Sequence, residues 1–249
     1  MKVLLIGTGR LAFHLAHAIA ATDLLFLGVA GRDLQKAKGL AEKIGSKWYG
    51  LDHLPQADLV ILAVKDDAIE EVASRLPQSN SVVAHTSGAS EMDRLLSHEH
   101  RGVIWPIQSF SSGGPISLKN VPLIIEGSDD LSINMIKEFS QHLSDHVHEA
   151  DLSKRRKFHL AAVFASNFPV AMMMEAEELL NKIGMPSTLL TELWKTTAMN
   201  VIQNGASSSL TGPASRSDST TIERHLEMLK EDPELQSIYK AISERIMRK

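Results

Sequence analysis

"MKVLLIGTGRLAFHLAHAI" (residues 1–19) decides the fold. It runs from the aliphatic residues 3–6 into Gly7-Thr8-Gly9-Arg10-Leu11-Ala12, and then into apolar and polar residues at helical spacing. A short buried strand that turns through G-x-G-x-x-A into a helix opens a nucleotide-binding βαβ unit. The two glycines let the backbone approach a pyrophosphate, and the helix N-terminus offers free N–H groups and partial positive charge. The same turn also serves simply to reverse a strand into a helix, so the elements around it must decide.

Working outward, residues 1–150 alternate short apolar runs with helical patterns, the mark of a parallel sheet covered by helices. Strands are expected at 3–6, 25–30, 47–49, 57–64, 81–85, 102–105, 121–127 and 146–150, and helices at 11–21, 33–44, 68–76 and 130–143. "ADLVILAV" (57–64) is continuous in Leu, Ile and Val, as a strand buried on both faces must be. From residue 151 the strand-like runs stop. One long helix is expected over 152–183, ended by Gly184 and Pro186, and a second over 187–203, closed by Asn204-Gly205. Thr220 with Glu223 has capping-box spacing for a third, and Asp232-Pro233 an N-cap and first-turn proline for the last. The expected architecture is α/β: a Rossmann-type doubly wound sheet over 1–150 and an all-helical second domain over 151–249.

Composition narrows the function. The 249 residues carry a formal charge of -4, which gives nucleic acid no electrostatic footprint. Absence of cysteine excludes disulfides, thiolate nucleophiles and Cys-ligated zinc, and fits a reducing compartment. Residues 3–6 are too short for a signal-peptide core or a membrane span. A cytoplasmic protein without nucleic-acid or membrane partners is expected. The pairs His98/His100 and His146/His148 lack a third ligand, so no metal is expected.

Cofactor choice is written at the end of the second strand. A protein selecting NAD places Asp or Glu there for the ribose hydroxyls. Here the chain reads Val29-Ala30-Gly31-Arg32-Asp33, so Arg32, joined by Arg10, points to the 2′-phosphate of NADP rather than to NAD. The other reading makes Arg32 a solvated loop residue and Asp33 either a shifted ribose ligand or a helix N-cap. Ligands of open α/β sheets lie beyond the carboxyl ends of the strands. The expected cofactor-binding set is therefore Gly7, Thr8, Gly9, Arg10, Leu11, Arg32, Ala63, Val64, Lys65 and His85, the last opening His85-Thr86-Ser87-Gly88-Ala89 at the nicotinamide end. For His85 a buried structural hydrogen bond is the alternative.

Together the glycine turn, "HTSGA" (85–89), "PIQSF" (106–110), "HLAAVFASNF" (159–168) and "TGPASRSD" (211–218) resemble a bacterial family that joins a Rossmann-like domain to a helical domain of unknown function, the domain of unknown function 2520 type. The resemblance spans nearly the whole chain. More distantly the layout is similar to pyrroline-5-carboxylate reductase, the deazaflavin-dependent NADP reductases and the 6-phosphogluconate/β-hydroxyacid dehydrogenase group. Those relatives imply hydride transfer, a helical second domain and a homodimer that shares its helices. Two departures stand out: the family commonly has His before the Pro of "PIQSF", where this chain has Trp105, and the catalytic Lys of the β-hydroxyacid dehydrogenases has no secure counterpart, with Lys157 and His159 both nearby.

Hydride addition to C=O or C=N leaves charge that a proton donor must meet, and the cofactor does not supply that proton. On a helix His159 and Ser166 share a face, and Asn167 lies about 80° round from His159. His159 is the candidate proton donor, Asn167 and Ser87 the candidate substrate-orienting groups, and Ser166 a further substrate-binding candidate. Arg216 in "TGPASRSD" is a candidate clamp for a substrate carboxylate, or else half of an Arg-Asp ion pair. The expected function is NADP-dependent hydride transfer to or from a small anionic substrate between the domains. The alternative is a non-catalytic nucleotide-sensing protein whose helical domain binds a partner. Residues 154–157, Lys-Arg-Arg-Lys, read as a solvated basic run, and Met172 to Met174 as packing for the core or for a dimer surface.

Overall fold

The computed structural model describes residues 1–111 and 113–248. Among these residues eight strands form one sheet: β1 (Lys2–Ile6), β2 (Leu25–Ala30), β3 (Trp48–Tyr49), β4 (Leu59–Leu62), β5 (Val82–His85), β6 (Arg101–Pro106), β7 (Leu123–Gly127) and β8 (Val147–Glu149). Their order is β3-β2-β1-β4-β5-β6-β7-β8. β1 to β6 run parallel, β7 pairs antiparallel with β6, and β8 pairs parallel with β7. All eight lie where the sequence pattern puts them, with ends moved by one or two residues.

Period-two alternation divides the side chains between two cores. Val3, Leu5, Leu59 and Ile61 enter one apolar cluster, while Leu4, Ile6, Val60 and Leu62 enter another on the opposite face. Helices α1 (Arg10–Ala20) and α2 (Leu34–Lys43) follow β1 and β2, α3 (Ile69–Ser74) follows β4, and α4 (Asp130–Leu143) follows β7. Leu15 and Ile19 of α1 and Ile136 and Phe139 of α4 cover the first face, and Ile69 and Val72 of α3 the second. Each large aliphatic side chain so buried contributes about 1.5–3 kcal/mol, which fixes the sheet and hence the edge on which the sites lie.

The second half is helical: α5 (Leu152–Ala162), α6 (Phe168–Lys182), α7 (Thr191–Asn204), α8 (Ala206–Ser209), α9 (Ser219–Met228) and α10 (Pro233–Met247). Three expectations need correction here. The helix expected over 152–183 is divided by a π-helical stretch, Val163–Asn167, between α5 and α6. The helix expected over 187–203 opens as a 3₁₀ turn, Ser187–Leu190, before α7. The helix assigned a Thr220/Glu223 capping box is instead capped by Asp218, whose carboxylate accepts the Thr221 N–H at 3.0 Å; a carboxylate outcompetes a threonine hydroxyl for that place. Asp232 caps α10 as read from the sequence.

Two compact units result, Met1–Ala171 and Met172–Lys249. The change to helical structure falls at residue 151, but the contacts divide after residue 171 because α5 is bonded to the sheet unit through Arg155 and Arg156. No helix among the described residues is long and apolar enough to cross a membrane.

Candidate functional site

The strand order reverses direction at β1, and there a cleft of about 460 Å³ opens beyond the strand ends. Residues 7–11, Arg32 and residues 63–65 line it, so the structure brings together nine of the ten residues expected around the cofactor. The two glycines of the turn have different reasons to be glycine. Gly7 has φ +138, and a Cβ there would stand 2.1 Å from the Ala63 carbonyl oxygen; its N–H donates to the Ala30 carbonyl at 2.9 Å. This is steric and conformational necessity. Gly9 has an ordinary extended backbone, φ −80, and a Cβ there would meet nothing within 4 Å. The chain itself does not require glycine at this position. Gly9 is also the N-cap of α1 and supplies no capping side chain, so the first-turn amides face the open space beside it. That cradle, which a Cβ would begin to fill, fits a pyrophosphate.

Arg10, Arg32, Lys36 and Lys65 all line the same cleft. Gly31 occupies the strand-end position, and the carboxylate two residues on is otherwise engaged: Asp33 caps α2, accepting the Lys36 N–H at 3.1 Å. That hydrogen bond holds its carboxyl below the usual range. Of the alternatives for Asp33, the structure gives the N-cap. Arg32 meets Glu71 at 3.5 Å with both side chains more than half exposed, a loose pair that leaves the guanidinium available.

His85 is corrected to a core residue. Its side chain is fully buried, its Nδ1 accepts the Ser87 N–H at 3.1 Å, and its Nε2 faces the Glu91 carbonyl at 3.2 Å. With one nitrogen accepting, the other holds the proton and donates, so the ring is neutral. Burial, and then the Arg155 guanidinium, push its pKa down to about 4. Ser87 is likewise a structural tie: its hydroxyl donates to Asp66 at 2.7 Å and accepts the Ala89 and Ser90 N–H groups at 3.2 and 3.0 Å. The Ser87 hydroxyl is thereby committed and not free to orient a substrate.

The residue that fixes this loop is Arg155, from the run expected to be solvated. Its guanidinium is fully buried, donating to the carbonyls of Ser87, Gly88 and Ser90 at 3.3, 3.4 and 2.6 Å and to Glu126 of β7 at 2.8 Å. Arg156 holds Glu91 at 2.8 Å. The spacing of arginines at a helix start gives no sign of this, because the acceptors are main-chain carbonyls some 65 residues away.

At the end of β6, on the same sheet edge as the cleft, a second pocket of about 290 Å³ is lined by Trp105, Gln108, Ser109, His159, Ser166 and Asn167 among others. β6 lies two strands beyond β4, about 10 Å away at the usual strand spacing. Three of the expected chemical residues therefore meet, and all belong to the first compact unit. The π-helical stretch assists. A π turn holds more residues than an α turn, so Asn167, which an uninterrupted helix puts about 80° from His159, is brought back toward the histidine's face. The Trp105 and His159 rings lie 5.6 Å apart. Arg216 sits in the other unit, in a 3₁₀ turn, and makes no ion pair among the described residues; Asp218, its expected partner, caps α9.

Two family models match the chain. A family model described as "Domain of unknown function (DUF2520)" matches residues 121–246, more than half of the chain. The chain belongs to this family. A second model, "NADP oxidoreductase coenzyme F420-dependent", matches residues 2–87, so an NADP-oxidoreductase type of Rossmann segment precedes the DUF2520 match, which itself takes in β7, α4 and β8 as well as the helices after them. Among solved structures, a Bacteroides fragilis protein described as a "putative NADP oxidoreductase" is 31% identical with a TM-score of 0.88, covering 100% of this chain and 98% of its own. The 1-pyrroline-5-carboxylate reductase of Streptococcus pyogenes is 16% identical at TM-score 0.66, covering 100% and 99%. A reductive aminase from Aspergillus terreus, solved with NADPH and ethyl-5-oxohexanoate, is 14% identical at TM-score 0.70, covering 99% and 93%. At those identities the last two share the fold. No curated protein sequence matches the chain.

Proposed function

We propose that this DUF2520 protein is an NADP-dependent oxidoreductase that transfers a hydride to or from the C=O or C=N bond of a small substrate held beside His159. The observation that carries the reading is Gly9: open space over a glycine that the fold does not need, at the uncapped start of α1 and flanked by Arg10, Arg32, Lys36 and Lys65. The first-turn amides of α1 would bind the pyrophosphate, and Arg32 with Lys36 the 2′-phosphate. When bound, the reduced cofactor supplies a hydride, two electrons with one hydrogen. His159 then holds the proton that the oxygen or nitrogen of the reduced bond requires, and Asn167 and Ser166 orient the substrate. An anionic substrate has the support of Arg216 alone.

Titration calorimetry with NADPH and NADH tests this. Tighter uptake of NADPH, with the difference erased in Arg32→Ala, is expected; uptake of neither ends the redox reading. Trp105, in a position where the resemblance implies His, favours the second reading, a non-catalytic nucleotide sensor. NADPH oxidation against a panel of carbonyl compounds separates the two.

We further propose a homodimer formed through the helical unit. No residue of α6 or α7 is buried, and Met174, Leu193 and Ile202 are 64%, 64% and 75% exposed. Apolar exposure on that scale marks an association surface, and sedimentation at micromolar concentration would detect the dimer. The cysteine-free composition supports a cytoplasmic location.

A further inference from the structure

We propose that the pocket beside His159 takes a small uncharged carbonyl or imine compound, and that Trp105 is the residue that selects it. The proposal rests on the oxidoreductase reading above and names its substrate class.

Charge is divided along the sheet edge. The cleft at β1 gathers Arg10, Arg32, Lys36 and Lys65, as a ligand rich in phosphate demands. Three strands along, the second pocket is lined by no Lys, Arg, Asp or Glu among the described residues; besides His159, its polar groups are the neutral side chains of Gln108, Ser109, Ser166 and Asn167. Two of the four cations of α5, Arg155 and Arg156, lie four and three residues before His159 on its side of the helix and are committed elsewhere, and Lys154 and Lys157 are not among the residues that line the pocket. Arg155 is buried against Glu126 and the loop carbonyls, and Arg156 is paired with Glu91. Among the described lining residues, a substrate carboxylate would find a counter-ion in His159 alone. Holding a carboxylate would keep the imidazolium proton from the atom that hydride transfer leaves needing it. A carboxylate desolvated without a committed cation binds poorly, whereas a neutral ketone or ester loses little.

Trp105 supplies the complementary surface and is held in place. It is 9% exposed, packed in an apolar cluster with Val103, Ile124 and Ala150. Behind it lies Gly88, where a Cβ would stand 2.4 Å from the indole, so the ring occupies the space of the missing side chain and has no room to retreat. In front lies His159. A fixed indole next to the proton donor offers a broad apolar wall for the carbon body of a substrate. A histidine at this position would offer less apolar area and a titratable group.

The experiment uses the full chain with Trp48→Phe and Trp194→Phe, so that Trp105 is the one tryptophan and is excited selectively over the two tyrosines. NADPH uptake is measured first. The protein is then saturated with oxidised NADP, so that no hydride transfer follows, and titrated with 4-oxopentanoic acid and with its methyl ester. The expected result is quenching of Trp105 by the ester at a half-saturating concentration at least tenfold below that of the acid. Calorimetry on Trp105→His should show the ester weakened tenfold or more and the ester-to-acid ratio narrowed, with NADP affinity within twofold of the parent. If Trp105→His does not fold, Trp105→Leu takes its place with the same expectation, and Trp105→Phe should retain the preference. Equal or tighter binding of the acid, or no response of Trp105 to either compound, overturns the proposal while NADPH uptake still stands. Failure of NADPH uptake removes the oxidoreductase reading first, and this proposal with it.

Discussion

Replacing Gly9 by alanine distinguishes a ligand cradle from a strand-to-helix turn. The backbone at Gly9, φ −80 and ψ −175, is open to any residue, and the added methyl would touch nothing within 4 Å. Folding stability should therefore change by less than about 1 kcal/mol, the scale of an altered N-cap. If the pyrophosphate lies over Gly9, the methyl stands between it and the α1 amides. Losing one or two charge-assisted hydrogen bonds costs about 2–4 kcal/mol, or about 30- to 700-fold in affinity. Gly7→Ala is the counter-experiment: a Cβ only 2.1 Å from the Ala63 carbonyl oxygen and a positive φ should cost stability outright, by about 2 kcal/mol or more. Thermal melts and NADPH calorimetry on both variants decide the matter. Gly9→Ala with parental NADPH affinity refutes the reasoning, because the open space would then be unrelated to the cofactor.

Other outcomes follow from the same contacts. Arg155→Met strands the Glu126 carboxylate and three carbonyls, and should destabilise by about 3–5 kcal/mol, seen as a melting point lower by roughly 6–20 °C. Gly88→Ala drives a methyl into the Trp105 indole; a cost of about 1–3 kcal/mol and altered tryptophan emission are expected, and an unchanged spectrum would place the ring elsewhere. His85 has a folded pKa near 4 against 6.5 unfolded, so the unfolded chain takes up its proton first as pH falls. Stability should decline by up to about 3 kcal/mol between pH 6.5 and 4, and that component of the slope should be missing from denaturant titrations of His85→Gln.

The sheet was legible because strands such as "LVIL" are buried on both faces and leave an unbroken apolar signal. The cofactor cleft was legible for a related reason: a glycine turn and the next strand end are local features that topology brings together. Legibility failed where a side chain's partners are distant main-chain atoms. Arg155 looks like its solvated neighbours until four acceptors from β7 and the loop after β5 converge on it. His85 and Ser87 were polar groups at a strand end, which are indistinguishable by sequence from ligands until their hydrogen bonds are traced. The Asp218 cap was missed because Thr220 and Glu223 offered an equally regular spacing two residues on.

The π turn between Val163 and Asn167 has an implication for chain length. One extra residue within a helix ordinarily swings everything after it by about 100°; a π turn absorbs the addition locally. A chain lacking Ala165 would bring Asn167 to seven residues from His159, on one face of a plain α-helix. Excision of Ala165 should therefore be tolerated by this stripe more readily than a swap of His159 with Leu160, which keeps the length and moves the imidazole off the pocket.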